Sequence, residues 1–211
     1  LATGLSGCAG FTDETPLSIL DAARRDLADV SAVHMVTEEH DDGVTETRDL
    51  VVARDGDCEG TVTTDGAAVK VRRTQGFSWI QPDENYWPLV FGGPLVSSFA
   101  GKWVQLDGSE LLDRFCDIDD PFAAFVGDPR ALTLENLGED VVAGTDVVRL
   151  RGVDDAGAVV DIAVAADEPH VVLEMSLSGT DRGQAVFSEF GQDPEVQPPP
   201  PAEVVHVDDV G

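Results

Sequence analysis

The 211-residue sequence predicts an α+β fold in which one antiparallel sheet with a single apolar face is covered by helices. Three observations carry this. One segment near the start repeats its apolar residues at helical spacing. Most of the remainder alternates with period two between turn-rich connectors. Those connectors are too short for the crossover helices that parallel strands require.

The helical segment lies within "PLSILDAARRDLADVSAVHM", read as a helix over about 17–33. Pro16 stands where a helix can begin, and Leu20, Ala23, Leu27 and Val30 recur at three- and four-residue spacing. Arg24, Arg25 and Asp26 fall on its wet side. "EEHDD" (38–42) reads as a solvated loop between strands rather than a metal site. "TETRDLVVARDG" then reads as a strand ending in a turn, and 58–82 as three consecutive strands. Asp65-Gly66 and Gln75-Gly76 are the hairpin signals there. Ala67, Val69 and Val71 point one way and Lys70 and Arg72 the other, as in a sheet with one wet face.

The stretch 84–126 holds Trp87, Phe91, Phe99, Trp103, Phe115, Phe122 and Phe125, broken by Gly92-Gly93-Pro94. It predicts short helices and loops, with Trp103–Leu106 as a strand and Ser109 capping a helix that runs to about Cys116. Strands resume at about 132–138, 145–152, 158–165, 170–178 and 184–190, forming a meander. Pro198 to Pro201 favour an extended polyproline segment.

Charge removes whole classes of function. Asp and Glu number 41 against 13 Lys and Arg, and the net charge is −28. Such a field repels phosphate backbones, so no nucleic acid is expected as a partner. The acidic residues are spread along the chain as a solvated surface. Catalytic patterns are missing too: the sequence has no Gly-x-Ser-x-Gly elbow, no phosphate-binding glycine loop and no His-Glu-x-x-His signature. "DIDD" (117–120) lacks the glycine and distal glutamate of a calcium loop. The expectation is a protein that is not an enzyme and has no cofactor and no metal.

The cysteines are Cys8, Cys58 and Cys116. Cys8 is open to three readings: half of a disulfide, a buried thiol, or a processing and anchoring site. Cys58 and Cys116 lack the further ligands of a zinc site. They are either a bridge, which exported chains favour, or two buried thiols.

Leu5-Ser6-Gly7-Cys8 resembles the bacterial lipobox, with only seven residues upstream of the cysteine. The resemblance implies that 1–16 is a signal-peptide remnant, lipobox and flexible tether, that 17–211 is one domain, and that Cys8 carries a lipid anchor. Over about 17–208 the order of "LDAARRDLADVSAVHM", "GKWVQL", "FCDIDD" and "FSEFGQDPEVQPPP" resembles actinobacterial exported lipoproteins of the LppX/LprG type, related in fold to LolA and LolB. That resemblance implies a strongly curved antiparallel sheet, an unclosed half-barrel with helices on its concave face. It also implies a membrane-anchored lipoprotein, a monomer on the outer face of the cell membrane, that binds or carries a lipid or other apolar ligand. Phe77, Trp79, Trp87, Phe91, Phe99, Phe122, Phe125 and Met175 are the candidate lining residues. If instead they form an ordinary packed core, the protein is a non-catalytic envelope interaction or accessory protein.

Overall fold

A computed structural model describes residues 10–93, 99–106, 110–179 and 182–206. Cys8 and Ser109 lie outside them. The helices are α1 (Pro16–Ala28), α2 (Trp87–Phe91), α3 (Glu110–Phe115) and α4 (Asp120–Val126). The first six strands are β1 (Ala32–Asp41), β2 (Val44–Ala53), β3 (Cys58–Thr64), β4 (Ala67–Thr74), β5 (Phe77–Pro82) and β6 (Trp103–Leu106). The others are β7 (Thr133–Val142), β8 (Thr145–Val153), β9 (Val159–Ala165), β10 (Val172–Ser178), β11 (Arg182–Ser188) and β12 (Val204–His206).

All twelve strands form one sheet, in the order β12-β6-β5-β4-β3-β2-β1-β11-β10-β9-β8-β7. The sheet is two meanders joined at β1 and β11, and among the described residues only β12 runs parallel to its neighbour. It is strongly curved and does not close, with β7 and β12 as its two edges. Bulges at Asn136/Gly138 and Val172/Glu174 help to bend it. At Gly60 (φ 155°) an added Cβ would overlap the carbonyl oxygen of Asp49, so β2 and β3 approach there as only glycine allows.

One face carries the core. Across the first meander the row Met35, Leu50, Gly60, Val71, Ile80, Val104 shares a register, and a second row on the same face, two residues along at Thr37, runs through Ala185, Met175, Ile162, Leu150. These side chains join one cluster with Ile19 and Leu20 of α1, Leu112 and Phe115 of α3, and Phe122 and Phe125 of α4. Helices therefore cover the concave face, because its apolar side chains must be removed from water. Cys58 and Cys116 form a disulfide, Cα–Cα 5.6 Å, that pins the end of α3 to the start of β3.

Three expectations are corrected. The helix ends at Ala28, not near 33, and Ala32–Asp41 is β1. Val33 extends the helical recurrence by coincidence, but it is buried, like Met35, in a strand. Secondly, "EEHDD" is not a loop. Glu38 to Asp41 belong to β1, where His40 bonds across the pair to Thr45 (2.9 Å), and Asp42-Gly43 makes the turn. Thirdly, 10–15 is not a free tether. The Phe11 ring stacks on His170 (3.6 Å), Asn136 Nδ2 donates to the Thr12 carbonyl (3.0 Å), and the Thr15 hydroxyl caps α1. The fold begins by Phe11.

After β11 the chain runs from one rim of the sheet to the other. Gly191 N–H donates to the Ala32 carbonyl at one rim (2.8 Å), and Val204 reaches Trp103 at the opposite rim.

A cleft-bearing rim as the candidate functional site

The helical layer stops short of one rim of the sheet, the rim formed by the β8–β9 and β3–β4 turns. The first opening there is a cleft of about 510 Å³ between α4 and the concave side of β9 and β10. Its apolar walls are Phe125, Val126, Leu132, Val160 and Leu177. Phe125 lies low because Gly183 has no side chain: a Cβ there would stand 3.0 Å from the Phe125 Cζ. Asp154 also borders the cleft, but its Oδ1 already accepts the N–H groups of Ala156 and Ala158 at 2.9 and 2.8 Å. The cleft therefore presents an apolar floor with a satisfied polar lip.

A second cleft of about 610 Å³ opens at the same rim between α2 and the β3–β4 turn. It is bordered by Val44, Thr64, Ala67 and Leu89, and Leu89 is 63% exposed.

Toward the same rim, within the core face, lies a charged cluster. The Arg48 side chain is 2% exposed; its Nε donates to Glu46 (2.8 Å), and its Nη2 is 3.5 Å from Glu39. The guanidinium sits over the Phe115 ring, 5.2 Å from its centroid. Arg114 approaches Glu39 from α3 at 4.0 Å. Burial, and after it the charge of Glu46, pushes the Tyr86 hydroxyl above its usual pKa, while a hydrogen bond with Thr64 acts the other way.

The sequence-predicted lining residues do not gather round one cavity. Phe125 borders the first cleft. Trp87, Phe91 and Phe99 pack on one another, with centroids 4.5 and 5.6 Å from Trp87. Phe122 is buried with the Arg24 guanidinium over its ring (5.1 Å), and Met175 lies within the sheet core. Phe77 and Trp79 are on the other face of the sheet, because they share a face with Arg72, whereas Ile80 faces the helices. Phe77 is 52% exposed there.

Val126, Leu132, Val160, Leu177 and Arg48 escaped the sequence reading. The first four look like any alternating strand or helix positions. Arg48 had a signal, a basic residue at an inward position of β2. One further grouping appears only in three dimensions: His34 joins Ser188 (3.2 Å) and Asp49 (2.7 Å) across β11, β1 and β2. β1 is paired along its length on both sides, with β2 and with β11. Among the described residues, no group of three His, Cys, Asp or Glu side chains could hold a metal ion, and no helix is long and apolar enough to cross a membrane.

The strands define a fold class, an open, strongly curved sheet with helices on its concave face. Among solved structures the chain is similar to the lipoprotein LppX of Mycobacterium tuberculosis, with a TM-score of 0.56 and 16% identity over 86% of this chain and 97% of that one. It is also similar, more loosely, to a LolA-superfamily protein of Nitrosomonas europaea, with a TM-score of 0.28 and 12% identity over 89% and 96%. No protein-family model matches the chain, and no curated protein does. At such identities the likeness is one of fold.

Proposed function

We propose that this protein is a membrane-anchored lipoprotein that binds or carries a lipid or other apolar ligand in the cell envelope, without catalysis. The observation that carries this is the apolar-floored cleft of about 510 Å³ left where α4 ends over the curved sheet. That volume falls within the range of small-molecule sites, roughly 300–1,000 Å³. The LppX-like fold supports the same reading. Binding by such a site needs only shape and removal of apolar surface from water.

Leu177→Trp would fill the cleft. Its affinity for a fluorescent fatty acid is expected to fall at least about tenfold, a change of about 1.4 kcal/mol. An unchanged affinity would remove the cleft from the proposal. Native mass spectrometry of protein taken from its source membrane should show bound lipid. A clean apo mass supports the second reading, an accessory protein with a filled core, which the burial of Trp87, Phe122 and Met175 favours.

The lipobox resemblance places the anchor at Cys8, and Cys8→Ala is expected to release the protein into the medium. Retention on membranes would reject the anchor. The docking of Phe11 beside His170 gives the anchor a direction. Three residues span at most about 10 Å, so the rim bearing Phe11 faces the bilayer. Strands β8 and β9 run from that rim to the cleft, since Ala166 N–H bonds Asp146 at one end and Asp154 borders the cleft at the other. The cleft then opens away from the anchoring membrane, toward whatever delivers or accepts the ligand beyond it.

A further inference from the structure

Two tryptophans are buried on the wrong face. Trp79 and Trp103 are 5% and 7% exposed, yet they share the convex face with Arg72, and the helices cover the opposite one. Neither belongs to the main core cluster. The C-terminal segment runs from Gly191 at one rim to β12 at the other, and its Val196 and Pro199 are buried, Val196 outside the helix-covered core cluster. A sheet face with only Arg72 stacked on Trp103 (4.9 Å) would leave the indoles wet, so the segment is their cover.

We propose that this strip is a recognition groove for an extended, acidic, proline-containing segment that ends in a short strand, and that residues 192–206 occupy it in cis as a detachable strap. The chemistry of the strip matches such a ligand at three points. Aromatic walls accept polyproline segments, which lose little entropy on binding because they are already extended. The free edge of β6 accepts a strand, here Val204–His206. The charge is complementary: both lysines of this strongly acidic chain, Lys70 and Lys102, are here, beside an Arg72 that pairs with Glu59 at 3.1 Å, while the strap carries Asp193, Glu195 and Glu203. Lys102 Nζ donates to the Ala202 carbonyl (2.8 Å).

The hold is light. Among the described residues no backbone hydrogen bond joins 193–202 to the sheet, and the prolines have no N–H to give. Three residues of parallel pairing, the Lys102 bond, Val205 against the core and two buried side chains carry the contact. Trp79 Nε1 is buried with no hydrogen-bond partner, a donor that the cis strap leaves unused and that a ligand carbonyl would satisfy. A segment that makes that bond has an advantage over the strap. The strap's own advantage is its tethering, which raises its local concentration to the millimolar range.

The test uses the full chain with Val196→Asp and, as probe, a synthetic peptide of sequence QDPEVQPPPPAEVVH, which has no tryptophan. The variant is expected to expose Trp79 and Trp103 to acrylamide, with Trp87 still shielded in the helical layer. Added peptide should restore the protection and bind the variant at least about tenfold more tightly than the unmodified chain, which holds its own strap. A peptide with the four prolines replaced by serine should fail. A folded V196D whose tryptophans stay shielded overturns the proposal, as does exposure that the peptide does not reverse. A variant that dimerises and ignores the peptide assigns the groove to a second copy and overturns it too. Should V196D not fold, hydrogen exchange of the unmodified chain decides. The amides of Val204–His206 are expected to exchange roughly a hundredfold faster than those of β1 and β2, and equal protection would reject a detachable strap.

Discussion

Replacing Arg48 with alanine is expected to destabilise the protein by roughly 3 kcal/mol, near the low end for breaking a buried ion pair. The loss arises from what remains. Glu46 and Glu39, about a quarter exposed, would keep their charges beside an apolar core with their nearest cation gone. Phe115 would lose the guanidinium over its ring, and a void would open beneath α3. Arg114 is 4.0 Å from Glu39 and 58% exposed, so it compensates weakly. The control is the triple variant Arg48→Met with Glu39→Gln and Glu46→Gln, which removes all three charges and keeps the volume. It should recover most of the loss. Urea unfolding curves of the two variants make the comparison, and an Arg48→Ala loss below about 1 kcal/mol would mean the cluster is solvated rather than part of the core.

Local signals were legible in the sequence and pairings between distant strands were not. Asp65-Gly66 and Gln75-Gly76 announced their hairpins, and the alternation of Val69 and Val71 with Lys70 and Arg72 gave β4 its two faces. The equivalent signal at Asp42-Gly43 went unread because the acidic run before it suggested a loop. In fact Glu38 lies on the wet face of β1, Glu39 on the core face beside Arg48, and Asp41 and Asp42 at the rim. The adjacency of β1 and β11, which brings His34 to Ser188, rests on residues 142 to 154 positions apart. The candidate site was harder for the same reason. Its aromatics were visible, but which face each one takes depends on register. One clue was available: Trp79 next to Ile80, and Trp103 next to Val104, are consecutive apolar residues in strands. Such pairs require cover on both faces of the sheet. The helices supply it on one side and the C-terminal segment on the other.

Removing the disulfide with Cys58→Ala and Cys116→Ala is expected to cost about 4 kcal/mol, the chain-entropy value for a loop of this length. The bridge spans 58 residues of sequence, and both cysteines are buried. Its local role adds to the effect. Helices α3 and α4 have six and seven residues, too few to persist in water without tertiary contacts. Their hold on the sheet comes from Leu112, Phe115, Phe122 and Phe125, and the bridge fixes the segment between the two pairs. Loosening it should release the helical layer before the sheet itself melts. The double variant is therefore expected to lose near-ultraviolet circular dichroism and fatty-acid affinity at a lower temperature than its far-ultraviolet strand signal. Reduction of the unmodified protein with dithiothreitol in mild urea should reproduce the same order. Coincident loss of all three signals would show instead that helices and sheet unfold as one unit, with the bridge acting only through the unfolded chain. A total loss below about 1 kcal/mol would contradict both accounts.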